Sequence, residues 1–246
     1  MLAESYAQAA HAALDRLVAS QLENLDRGAD LIVHALTHGG ALWLYGIGHG
    51  GELELFNRAG GLMAARLLTF SSQVSSPVAE CLRDRPRPEP INVDIEQTRL
   101  AVKTSELRAG DVLLLASVSG RNVRPVELSL ACRELGMTVI AMTSLEYTAQ
   151  VDSAHPSGKK LCEVADVVLD NGAPFGDAGV TAEGYEYPVL PLSGLAQTAL
   201  GWMLCAQVLE KMAALGTPAH VYISHNRPGG PEFNAAALKL FNETGY

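Results

Sequence analysis

The chain has 246 residues, with 18 Lys or Arg against 27 Asp or Glu and a formal net charge of −9. Hydrophobic residues make up 48% and charged residues 18%, which excludes wholesale disorder and suits one large α/β domain. A pI near 5.2 argues against a nucleic-acid partner, so any anionic ligand must be held by local N–H groups, hydroxyls or a single Arg.

In chain order, the start Met1-Leu-Ala-Glu-Ser-Tyr6 lacks the basic, then apolar, run of a signal peptide. Residues 4–38 form one long helical pattern, with Leu14, Leu17, Val18, Leu22, Leu25, Ile32 and Leu36 on its apolar spacing and Gly39-Gly40 as its stop. The apolar run 41–45 predicts a strand that opens into Gly46-Ile-Gly48-His49-Gly50-Gly51. A helical pattern follows through Leu53, Phe56, Ala59 and Leu62, and a second strand is expected over 67–70. Residues 71–92 carry four prolines (Pro77, Pro86, Pro88, Pro90) and read as a long loop, functional or simply connecting.

Helical spacing resumes over 94–108. The unbroken run 111–116 predicts a buried strand, ending in Ser117-Val-Ser119-Gly120-Arg121-Asn122, with a helix over 123–135. Strands are expected over 137–142 and 165–169, a last strong helix over 193–214, and a polar tail beyond. The uncharged stretch 187–209 contains Pro188, Pro191, Gly194 and Gln197, so it reads as a core or interface helix and not as a membrane span. Alternating short apolar strands and helices imply one domain, 1–246, with a parallel sheet covered on both faces. Ligands of such sheets bind beyond the carboxyl ends of the strands. Four separated cysteines (Cys81, Cys132, Cys162, Cys205) without a C-x-x-C pair read as reduced thiols of a cytoplasmic protein.

Two segments can carry chemistry. Ser117, Ser119, Gly120 and Asn122 sit at the mouth of a helix. Hydroxyls, a close backbone and free N–H groups there make an anion cradle, with Arg121 and Arg124 adding positive charge. An ordinary N-cap made by Ser119 or Asn122 is the plainer reading of the same residues. The turn Gly46-x-Gly48-x-x-Gly51 matches a dinucleotide fingerprint, but 66–73 offer no acid for NAD; NADP, with Arg66 near a 2′-phosphate, is a weaker alternative. His49 and Glu52 form a proton-moving pair if one ligand reaches both segments. His34 and His38 share a helix face without a third ligand, and no metal or other cofactor is expected.

The Ser117-Val-Ser119-Gly120-Arg121-Asn122 segment resembles the Ser-x-Ser-Gly-x-Thr/Asn phosphate loop of sugar isomerase (SIS) domains. Phe56–Gly61, Thr143-Ser144, His155–Lys159 and Asp170–Asp177 are similar to an uncharacterised bacterial branch of that family. The resemblance implies a three-layer αβα sandwich with a flavodoxin-like parallel sheet. It also implies a homodimer or higher homo-oligomer using the long N-terminal helix, and a phosphorylated sugar as ligand. Ser117, Ser119, Gly120, Arg121, Asn122 and Ser144 would hold the ligand, with Gly48 and His49 lining its sugar side. Gly50 stands where many such first loops carry Ser or Thr. An aldose–ketose isomerase working through an enediol(ate) is expected, with His49, Glu52 and Glu80 as candidate proton carriers and His155 or His225 reaching in from a neighbouring subunit. The alternatives are a non-catalytic phosphosugar sensor or a sugar-phosphate lyase or etherase.

Overall fold

Two-faced burial decides which apolar runs become strands. In Val112–Ala116 every residue is buried, and alternate side chains enter different cores: Val112, Leu114 and Ala116 one, Leu113 and Leu115 the other. The computed structural model describes residues 1–46, 52–86 and 91–246. Strands β1 (Leu42–Tyr45), β2 (Ala65–Leu67), β3 (Val112–Ala116), β4 (Thr138–Thr143) and β5 (Val167–Asp170) form one sheet in the order β2-β1-β3-β4-β5, every pairing parallel.

Helix α1 (Leu2–Thr37) packs with α7 (Ser193–Ala214) on one face. Helices α3 (Val93–Thr104), α4 (Val123–Glu134) and the short α6 (Leu161–Val164) cover the other, completing the αβα sandwich. Leu17, Leu25, Ile32 and Leu36 of α1 are almost fully buried against Leu200, Leu204 and Val208 of α7. Lys211 of α7 reaches Asp26 and Asp30 of α1 at 2.8 and 2.6 Å, at the rim of that contact. At the amino ends of the strands Asp111, 4% exposed, accepts from the N–H of Ala41 (2.9 Å), the indole of Trp43 (2.8 Å) and the N–H of Arg108 (3.0 Å). Among the described residues no helix is long and apolar enough to cross a membrane.

Four local expectations change. The first-loop helix is only α2 (Glu52–Leu55), because Asn57 adopts φ +53° and Gly60-Gly61 turn the chain into β2. The second strand ends at Leu67 instead of running to 70. The region after α7 is not just a polar tail: it holds α8 (Gly230–Thr244), opened by Pro231 in its first turn and stopped by Gly245 at φ +87°. Phe241 of α8 lies under the Arg66 guanidinium at 4.4 Å, so this Arg is engaged in docking α8. Finally β6 (Ala178–Val180) and β7 (Val189–Pro191) form a small antiparallel pair beside the sheet. Among the described residues of the loop expected over 71–92, one 3-10 turn spans Glu80–Leu82.

Burial pushes the Cys132 and Cys205 thiols up to about 12, whereas Cys81 is exposed. Only the thiolate attacks a disulfide reagent. Titration of the native protein with an aromatic disulfide is therefore expected to label Cys81 promptly and leave Cys132 and Cys205 unreacted until denaturant is added.

Candidate functional site

In the order β2-β1-β3-β4-β5 the direction of winding reverses between β1 and β3, and a crevice opens beyond the carboxyl ends of those strands. A cavity of about 310 Å³ occupies it. Gly46 follows β1 at φ +64°, and a Cβ there would stand 2.9 Å from the Ala116 carbonyl oxygen. Glycine thus lets the end of β1 close against the end of β3. Ser117, Val118, Ser119 and Asn122, which follow β3, line the cavity with it.

The backbone of this segment is fixed by its carbonyls. Val118 O accepts from Ser144 N–H (2.9 Å) and the Thr143 hydroxyl (3.1 Å). Ser119 O accepts from the Thr148 hydroxyl at 3.0 Å, Gly120 O from Leu161 N–H at 2.8 Å and Arg121 O from Ala154 N–H at 2.9 Å. Gly120 makes the turn at φ +60°, with Thr143 Oγ1 only 2.9 Å from where a Cβ would be. The backbone acceptors of 118–121 are thus consumed toward β4, α5 (Leu145–Ala149) and α6, and the cavity is lined instead by the side chains of Ser117, Ser119 and Asn122, each able to donate. Asn122 is the N-cap residue of α4, yet its side chain makes no cap bond, and the first turn of α4 holds no acid. The plain N-cap reading is therefore set aside. The positive end of α4 faces the cavity without a side-chain oxygen on it, which suits an incoming anion.

The remaining lining comes from Tyr147, Asp177 and Gln197. Tyr147 packs its ring on Phe175 at 5.0 Å between centroids. Asp177 sits at φ +65°, an Asp-tolerated left-handed conformation, and its carboxylate caps α7 by accepting from Ser193 N–H (2.8 Å) and Oγ–H (2.7 Å). Gln197, one turn into α7, is 1% exposed, and among the described residues neither its amide nitrogen nor its oxygen has a partner. Each such orphan costs on the order of 1–3 kcal/mol. Among the described lining residues none carries a positive charge.

The sequence-predicted residues divide. Ser117, Ser119 and Asn122 meet in the cavity, and Gly120 shapes the turn behind them. Arg121 is exposed and outside the lining, and Arg124 is paired with Asp94 at 2.6 Å. Ser144, fully buried, spends its hydroxyl on Ala173 O (2.6 Å) and its lone pair on Tyr147 N–H (3.0 Å); it anchors α5 and does not line the cavity. His155 is 7% exposed, with Nε2 2.8 Å from Glu127 and Nδ1 2.7 Å from Ser157 Oγ. Glu127 also accepts from Arg99, so His155 belongs to a buried clasp between α3, α4 and the loop before α6. Glu80 is exposed and outside the cavity lining, and His225 is exposed on the surface, where only a neighbouring subunit's cavity could receive it. Gly48 and His49 lie outside the described residues; Glu52 opens α2. Tyr147, Asp177 and Gln197 escaped sequence reasoning. Gln197 left a faint signal as an amide in the uncharged stretch 187–209, and Asp177 ends the 170–177 stretch.

The SIS domain family matches residues 5–144, and a UPF0309 protein of Shouchella clausii is 31% identical over 96% of both chains. The chain belongs to the SIS domain family. A second UPF0309 relative of this SIS protein, from Halalkalibacterium halodurans, is 36% identical over 77% of this chain and 75% of its own. Its fold is similar to that of a phosphoheptose isomerase from Neisseria gonorrhoeae (TM-score 0.55, 19% identity, covering 87% of this chain and 97% of that one). It is also similar to the sugar isomerase domain of an RpiR transcription factor from Sphaerobacter thermophilus (TM-score 0.52, 15% identity, 99% and 98% covered).

Two substitutions test the framework of this SIS site. Gly120→Ala places a Cβ against Thr143 at positive φ and is expected to lower unfolding free energy by about 1–2 kcal/mol in urea titrations. His155→Ala strips Glu127 of a buried partner and should cost about 2–3 kcal/mol by the same measurement.

Proposed function

We propose that this SIS domain binds a phosphorylated sugar, its phosphate held by Ser117, Ser119, Asn122 and the N-terminus of α4, its sugar extending to Tyr147, Asp177 and Gln197. The observation that carries the reading is the uncapped α4: two hydroxyls and an amide stand at a helix mouth whose own side chains leave the positive end open. The names of the structural neighbours, phosphoheptose isomerase and RpiR sugar isomerase domain, support the same ligand class. A homodimer or higher homo-oligomer using α1, which leaves Val18 and Leu22 half exposed, belongs to the same proposal, as does a cytoplasmic setting.

The reaction proposed is aldose–ketose interconversion: a base takes the proton beside the carbonyl and the enediol(ate) is reprotonated on the adjacent carbon. His49 and Glu52 remain the candidates for that base. A non-catalytic sensor is the second reading, favoured by one observation. The titratable side chains among the described lining residues are Tyr147 and Asp177, and Asp177 is committed as the cap of α7.

Replacing both Ser117 and Ser119 by Ala is expected to weaken phosphosugar binding by about tenfold or more in calorimetric titrations. Unchanged affinity would sink the phosphate assignment. Bound ligands incubated in deuterium oxide separate the two readings: label at the carbon beside the carbonyl marks isomerase chemistry, and its absence across good binders marks a sensor.

A further inference from the structure

Two helix N-termini from opposite layers of the sandwich converge on the cavity, and they are not alike. That of α4 has no side-chain cap and no acid in its first turn; that of α7 already holds the Asp177 carboxylate, fixed by two hydrogen bonds from Ser193. One end of the cavity is thus open to an anion, and the other is occupied by one. A second phosphate or a carboxylate on the ligand would be set beside Asp177, with no cationic side chain among the described lining residues to offset it. Gln197, one turn beyond the Ser193 that Asp177 caps, also lines the cavity, buried to 1% exposure with both amide atoms unpartnered among the described residues. A primary amide offers donors and an acceptor in one plane, the complement of a hydroxyl beside a carbonyl or of two neighbouring hydroxyls.

We infer that the cavity selects phosphosugars whose end remote from the phosphate is uncharged, and that Gln197 is the residue that reads that end. The inference rests on the phosphosugar reading above and adds ligand orientation and a selectivity rule to it. Phosphate goes to α4 and the neutral polyhydroxy end to α7; bisphosphates and phosphorylated sugar acids are rejected by Asp177. Gln197 is then a binding residue retained at a cost to the free protein, because a buried amide without partners destabilises the fold until a ligand satisfies it. An apolar side chain of similar volume removes that cost together with the recognition.

The test uses the full chain and four probes measured by calorimetry: inorganic phosphate, fructose 6-phosphate, fructose 1,6-bisphosphate and 6-phosphogluconate. Sedoheptulose 7-phosphate and glucose 6-phosphate extend the neutral set. The wild type is expected to prefer at least one neutral-ended monophosphate over the two doubly anionic probes by about tenfold or more. Gln197→Leu should lose about tenfold for that monophosphate, hold inorganic phosphate within about twofold, and melt about 2–4 °C higher without ligand. Gln197→Glu keeps the shape, adds a negative charge at the α7 end of the cavity and should weaken the same sugar as well, which provides a second variant if the first does not fold. Equal or tighter binding of the doubly anionic probes would overturn the inference, as would wild-type affinity in both variants or a loss of inorganic phosphate in step with the sugar. If inorganic phosphate binds and no phosphosugar binds better, the phosphosugar reading itself falls. That outcome is distinct from sugars binding with Gln197 indifferent.

Discussion

Four consecutive carbonyl oxygens, those of Val118, Ser119, Gly120 and Arg121, are each claimed by a different donor from the chain between Thr143 and Leu161. That set of bonds makes a loop behave as part of the sheet. It extends the β3–β4 ladder beyond its last regular pair and occupies the loop's backbone acceptors from Val118 to Arg121. Ser117, Ser119 and Asn122 are left at the cavity on a backbone that cannot turn its carbonyls toward an anion. Much else in the upper half of the molecule serves this arrangement. Thr143 and Thr148 are buried to supply hydroxyls, Ser144 anchors the short α5 that carries Thr148, and α6 begins at the residue whose N–H meets Gly120.

The clasp of Arg99, Glu127 and His155 works one layer further out. Glu127 is 1% exposed, and a lone carboxylate there would be costly; sharing it between an Arg of α3 and an imidazole from the loop before α6 makes it a junction of three segments. Ala154, next to His155, is the residue that donates to Arg121 O. A histidine that reads in the sequence as a proton carrier is thus part of the support for the cavity-lining segment 117–122.

The strands, the long first helix and the cavity-lining segment 117–122 were legible because each is written in neighbouring residues: unbroken apolar runs, helical spacing, and Ser-x-Ser-Gly before a helix. What stayed hidden depends on pairing across distance. Nothing local marks Asp177 as the cap of a helix that starts at Ser193, and nothing marks Gln197 as unpartnered until the surrounding chain is in place. Ser144 looked like a ligand group, but its neighbours Ala173 and Tyr147 had already taken both ends of its hydroxyl. Helix α8 was passed over because its apolar positions are diluted by polar ones. Gly229-Gly230-Pro231 and Gly245 did bracket it in the sequence, and Asn234 secures it through paired 2.9 Å bonds to both backbone groups of Ile223.

The cavity straddles a boundary in the chain. The stretch matched by the family, residues 5–144, contains Gly46 and the whole segment from Ala116 to Asn122, whereas Tyr147, Asp177 and Gln197 all lie beyond it. On the proposed reading, the residues that would hold the phosphate and those that would meet the sugar are therefore encoded in separate stretches of chain. On that reading, substitutions after residue 144 retune the sugar end while the residues proposed for the phosphate stay as they are, so one scaffold diversifies its ligands without rebuilding the strand ends on which it folds.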